Sequence, residues 1–274
     1  MAAAFSTKYI DQGGTALHYL HTGPTTLPDV PPALDRGTLF VLLAPAGGSA
    51  TMWRRQMELL GEAGHSAVAL DLPGHGRSAG LDAPSTVDAC ADVVAGVAAA
   101  LGLRPFILVG HSYGGTIALA FAARHGARLC GMVLLSCSAK PEIEAAIEQL
   151  RSVVQGRMPQ QFSPELFSPQ STPDVMREFF TELVKTDPRV RLTDLEAAAG
   201  FDGRPLLGAV RVPTLVVAGA DDRVTAPALT EALCRGIAGA HFETVARAGH
   251  LAPQEQPEVV GRLLVDVAAG TGRP

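Results

Sequence analysis

The sequence predicts an α/β protein whose mostly parallel sheet is covered by helices on both faces and topped by a helical cap. Three observations lead there. Short apolar runs rich in Val and Leu alternate with longer, Ala-rich amphipathic stretches. The alternation breaks once, over residues 139–205, where helical pieces divided by prolines contain no strand candidate. The 274 residues are 47% hydrophobic and 18% charged, enough for a large core without a disulfide or metal staple.

Strands are expected at 17–20, 39–43, 67–70, 106–109, 132–135, 214–218 and 241–245. They are short and apolar, as strands covered on both faces are. Helices are expected at 52–63, 86–101, 116–125, 227–236 and 257–268. Strands separated by helices imply parallel neighbours, because a parallel pair needs a long crossover. Residues 23–37 hold four prolines and read as an irregular loop. Within the break, helices are expected at 142–154, 174–185 and 191–199. Ligands in open α/β sheets bind beyond the strand C-termini, so this insertion reads as a cap over that edge. The division is then a core of 1–138 and 206–274 and a cap of 139–205.

Composition excludes several functions. The net charge of −5 is dispersed, whereas nucleic-acid binding needs clustered Lys and Arg. The opening residues lack a basic start followed by a long apolar run, so no signal peptide is read. No apolar run is long enough to span a membrane. Cys90, Cys130, Cys137 and Cys234 lie in apolar stretches without CxxC spacing and read as reduced core thiols of a cytoplasmic protein. Gly74-His75-Gly76-Arg77 lacks the rest of a phosphate loop, and His75 has no ligand-spaced partner. Neither a cofactor nor a metal is expected.

One segment carries chemistry. Val109 is followed by Gly110-His111-Ser112-Tyr113-Gly114-Gly115 and then by a helical pattern from Thr116. GxSxG alone is weak, since a Gly-rich turn with an N-cap serine looks the same. Its place between a strand end and a helix start is what points to a nucleophile. A tight strand-to-helix turn needs glycine where Cβ atoms would collide, and it lifts the hydroxyl clear of the sheet. The helix N-terminus offers unpaired N–H groups where negative charge would develop.

A serine hydroxyl is a poor nucleophile without a base held in the right tautomer. His250 follows the last strand candidate, in the Gly-flanked loop Ala248-Gly249-His250. Between nucleophile and base, Asp221 and Asp222 both follow the strand at 214–218, and their position does not choose between them.

Four segments, in order, resemble the α/β-hydrolase family. Asp71-Leu72-Pro73-Gly74-His75-Gly76-Arg77-Ser78 is similar to the loop after that family's fourth strand, and 110–115 to its elbow. Val212–Gly219 with Asp221-Asp222-Arg223-Val224 is similar to its acid-bearing strand, and Ala248-Gly249-His250 to its histidine loop. The resemblance implies an eight-stranded, mostly parallel sheet with helices on both faces and a helical cap. It also implies the triad Ser112, Asp222 and His250, Asp222 being the residue before Arg223.

For the oxyanion hole it implies the Tyr113 amide and a donor from Ala44-Pro45-Ala46-Gly47-Gly48-Ser49. The family more often has His-Gly in that loop, so this chain departs from the pattern. Pro45 has no N–H, which leaves Ala46, with Gly47 next if the register slips by one.

The branch it looks closest to contains small ester and lactone hydrolases, carbon–carbon bond hydrolases and cofactor-free haloperoxidases. The leading expectation is hydrolysis of a small carboxylic ester or lactone through an acyl-enzyme on Ser112. The same triad could serve haloperoxidase, perhydrolase or carbon–carbon cleavage chemistry, and a small-ligand receptor with this fold is the non-enzymatic alternative. Candidate substrate contacts are Gly47, Trp53, Phe162 and Phe179, although Trp53 could instead anchor a helix and the phenylalanines could hold the cap together.

Overall fold

The computed structural model describes residues 5–161 and 163–270. Its strands are β1 (Ser6–Gln12), β2 (Thr15–His21), β3 (Leu39–Leu43), β4 (Ser66–Leu70), β5 (Phe106–His111), β6 (Leu129–Leu135), β7 (Thr214–Gly219) and β8 (His241–Val245). They form one sheet in the order β1-β2-β4-β3-β5-β6-β7-β8. β2 is antiparallel to β1 and β4, and the remaining neighbours are parallel.

β1 is an addition to the strands expected from the sequence. It is an edge strand carrying mostly polar side chains, so it lacks an apolar run. Its signal was the turn: Gly13 and Gly14, both at positive φ (62° and 89°), close a two-residue hairpin onto β2.

The helices are α1 (Arg54–Glu62), α2 (Val87–Ala100), α3 (Tyr113–His125), α4 (Glu144–Val154), α5 (Pro173–Leu183), α6 (Pro188–Gly200), α7 (Pro227–Gly236), α8 (Ala252–Glu255) and α9 (Pro257–Ala268). Their starts follow local chemistry. Thr86, Thr172 and Asp187 accept hydrogen bonds from first-turn amides of α2, α5 and α6. Pro173, Pro188, Pro227 and Pro257 open helices where a missing N–H costs nothing. The expected helix at 52–63 begins instead as a 3₁₀ turn over Ala50–Trp53.

Alternation along the strands builds two cores. Phe40, Leu42, Val109, Val133 and Val217 point to the face covered by α1 and α9. Val41, Leu43, Leu108, Leu134 and Val216 point to the face covered by α2, α3 and α7. With both faces covered, β3, β4, β5 and β7 are buried at every residue. Cys130 departs from the expected pattern: it is exposed, while Cys90, Cys137 and Cys234 are buried. None of the described helices is long and apolar enough to cross a membrane. Helices α4, α5 and α6 follow β6 and precede β7, and they form the helical cap.

Two buried histidines give the fold a pH dependence. His21 and His111 are each fully buried. Burial pushes His21 down to about 4, with Lys8 adding to the effect. Burial likewise pushes His111 down to about 3, with His250 beside it adding to the effect. Both rings stay neutral in the fold at pH values where unfolded histidine, near 6.5, takes a proton. The unfolded chain then binds more protons, so this stability is full above about pH 6.5 and is lost as pH falls toward 4. His75 is raised rather than lowered, so its stabilisation grows as pH falls to about 6.5, is constant below that, and offsets only a minor part of the loss. Unfolding free energy from urea titration is expected to be about 3 kcal/mol lower at pH 5 than at pH 7. Equal stability at the two pH values would contradict these environments.

Candidate active site

Five loops and the cap meet at the C-terminal edge of the sheet around a cavity of about 470 Å³. The first contributor is the turn after β5. Ser112 has φ 53° and ψ −114°, a sparsely populated conformation for a side-chain-bearing residue, and α3 begins at the next residue. The turn is this tight because glycines allow it. A Cβ on Gly110 would stand 2.1 Å from the Gly114 carbonyl oxygen, and one on Gly114 would stand 2.4 Å from that of Leu43. The Ser112 amide is tied to the Leu135 carbonyl at 2.8 Å, so the strained residue is held by the neighbouring strand.

His250 is positioned from two sides. Its amide donates to the Leu166 carbonyl of the cap at 2.9 Å. From the sheet, His111 Nε2 donates to the His250 carbonyl at 2.7 Å. Its Nε2 lies 2.9 Å from Ser112 Oγ, and its Nδ1 lies 3.0 and 3.2 Å from the two Asp222 oxygens. A proton on Nδ1 directed at the carboxylate leaves Nε2 as the acceptor facing the hydroxyl.

Asp222 Oδ1 also accepts the amides of Val224 and Thr225 at 2.9 and 2.8 Å. Burial works against its charge, but His250 and these amides outweigh it and hold the carboxyl below the usual range. Asp221 is occupied elsewhere, its Oδ2 accepting the Ser168 hydroxyl at 2.6 Å.

Ala46 and Tyr113 line the cavity beside Ser112 and His250. Among the described residues, neither amide donates to a protein acceptor. Tyr113 is the first residue of α3, so its N–H is one of the helix's unpaired donors.

The expected substrate contacts divide. Phe179 lines the cavity. Trp53 does not: it packs under the sheet with Phe40, Leu42 and Met57, because the 3₁₀ turn before α1 points it into the core. Gly47 does not line the cavity either. It sits at φ 70°, and its amide is committed to Asp194 Oδ2 at 2.8 Å. Phe162 lies outside the described residues. Phe167 and Phe180 stack edge-on with Phe179, at centroid distances of 5.7 and 5.7 Å, and hold the cap together away from the cavity.

Three residues around the site were not anticipated in these positions. Asp194, on α6, accepts from the Gly47 amide and pairs with His75 Nε2 at 2.7 Å, so one cap carboxylate bolts together two core loops. Its signal was an acid at a helix position whose neighbours Val190, Ala197 and Ala198 are all buried. His75, dismissed as a ligand, serves as that bolt. Arg191, one turn earlier on α6, lines the cavity.

This geometry can perform acyl transfer: a hydroxyl on a base, a base on a carboxylate, and two free amides beside them. Comparison with known proteins agrees with the fold. The α/β hydrolase family model matches residues 40–263. A protein of Variovorax paradoxus named "Putative carbamate hydrolase RutD" is 29% identical over 273 residues, covering 94% of this chain and 98% of its own. A malate-bound thermophilic esterase from Thermogutta terrifontis superposes with a TM-score of 0.81 at 28% identity, over 98% and 99% of the two chains. The enol-lactonase of Burkholderia xenovorans LB400 superposes with a TM-score of 0.79 at 25% identity, over 95% and 99%. The chain belongs to the α/β hydrolase family.

Proposed function

We propose that this protein is a serine hydrolase of small carboxylic esters or lactones, working through an acyl-enzyme on Ser112. The observation that carries the reading is the continuous line Asp222–His250–Ser112, ending in a cavity that also receives the Ala46 and Tyr113 amides. Residues 139–205 act in it as a cap that encloses the acyl and alcohol groups, over a core of 1–138 and 206–274.

In this mechanism Ser112 Oγ attacks the substrate carbonyl as His250 Nε2 takes its proton. The carbonyl oxygen becomes an oxyanion held by the Ala46 and Tyr113 amides, each worth about 3 kcal/mol in enzymes where one such donor has been removed. Asp222 keeps the proton on Nδ1 and stabilises the imidazolium that forms. His250 then protonates the leaving alkoxide, and a water deprotonated by the same nitrogen releases the acid. A carbamate, as in the name of the Variovorax relative, presents the same carbonyl and would follow the same course.

The experiment is rapid mixing with p-nitrophenyl acetate. A burst of nitrophenolate equal to the protein concentration is expected, followed by slower turnover. Absence of turnover on every short activated ester and carbamate, with tight binding of a small molecule, would replace this reading with a receptor.

A further inference from the structure

We infer that Arg191 forms an anion subsite in the cavity, and that the preferred substrate carries a free carboxylate several bonds from the scissile ester or lactone. The inference rests on the hydrolase reading for the reaction and on Arg191 itself for the substrate class. Of the charged residues lining the cavity, Glu142, Glu165 and Arg223 are exposed, while Arg191 is partly buried within it. Its Nε is buried without a hydrogen-bond partner, and no carboxylate of the described residues comes within ion-pairing distance of its guanidinium. Other arginines of the same region are paired: Arg189 with Asp187, and Arg151 with Glu148 and Glu196.

Arg191 is also held in place. Its Cβ, Cγ and Cδ lie over Gly47, 2.9–3.1 Å from where a Cβ would stand there, so the stem packs directly on the loop that carries the Ala46 amide. The terminal nitrogens make no bond within the described protein. Burial works against the charge and only Asp194 supports it. That acid has committed one oxygen to Gly47 and His75. A cation partly stripped of water and left without an ion-pair partner has lost free energy that an incoming anion can restore. The guanidinium is planar and offers donors in a fork, which matches a carboxylate in two bonds. With the stem fixed beside the oxyanion loop, the anion would bind at a set distance from the reacting carbonyl.

The test compares p-nitrophenyl hydrogen adipate with p-nitrophenyl hexanoate, which has the same chain length without the charge. The readout is the ratio of kcat/KM for the two, so a general fall in activity from a disturbed loop cancels. The wild type is expected to favour the adipate half-ester. Arg191→Met, which keeps an unbranched stem over Gly47, should lower the ratio about tenfold or more. Arg191→Lys, the milder change, should keep the charge but lose the fork and lower it less. An unchanged ratio in either folded variant, or a wild type that prefers hexanoate, overturns the inference. Adipate binding is measured separately by calorimetry on Ser112→Ala with and without the Arg191 change. Arg191-dependent adipate binding with no ester turnover would sink the hydrolase reading and leave the subsite. Ester turnover with Arg191-independent adipate binding would do the reverse.

Discussion

Ser112→Ala is expected to lower kcat on p-nitrophenyl esters by about six orders of magnitude and to abolish the burst. What remains, on the order of 10³–10⁴ over water, would come from binding and from the two amides that still face the carbonyl. The fold should persist. Ser112 Oγ makes its side-chain hydrogen bond to His250, and the turn is held by the Ser112 amide on Leu135 and by the glycines around it. Neither support needs the hydroxyl. The thermal midpoint of the variant should therefore stay within a few degrees of the wild type. Retained turnover in a folded Ser112→Ala protein would move the chemistry to another residue.

Asp222→Asn should cost about 10⁴ in kcat, through the wrong tautomer. The surroundings fix how the amide would sit. Oδ1 accepts the Val224 and Thr225 amides, so the asparagine oxygen must stay there. Its NH₂ then occupies the place of Oδ2, 3.0 Å from His250 Nδ1. A donor facing Nδ1 drives the imidazole proton to Nε2, where it meets the Ser112 hydroxyl and blocks base catalysis. Asp221→Asn is the matched control, because that side chain bonds Ser168 and not His250. If kcat falls with Asp221→Asn and survives Asp222→Asn, the two carboxylates have been assigned in the wrong order.

Much of the fold could be read from the sequence because its signals are local. Strands β3 to β7 are apolar runs bounded by turn residues, and both faces of the sheet are covered there, so no polar alternation hides them. β1 was missed for the opposite reason. At the sheet edge its side chains face water, and the strand is stabilised by pairing with β2 rather than by its own hydrophobicity. The Gly13-Gly14 turn was the readable trace of that pairing.

The parts of the site divide along the same physical line. Ser112, Asp222 and His250 stand at element junctions marked by glycine and aspartate, because a strained turn, a tight strand exit and a buried, closely packed loop each need particular residues in a few consecutive positions. Those requirements are written in short stretches, which is why order along the chain could suggest the three residues. Which aspartate meets the imidazole, where Trp53 and Gly47 end up, and what the cap contributes depend on residues far apart in the chain. Gly47 and Asp194 are 147 positions apart, and His75 and Asp194 are 119. No local pattern encodes such a meeting. It is decided only when the sheet and cap close together, because the energy of a buried charge depends on every partner that surrounds it.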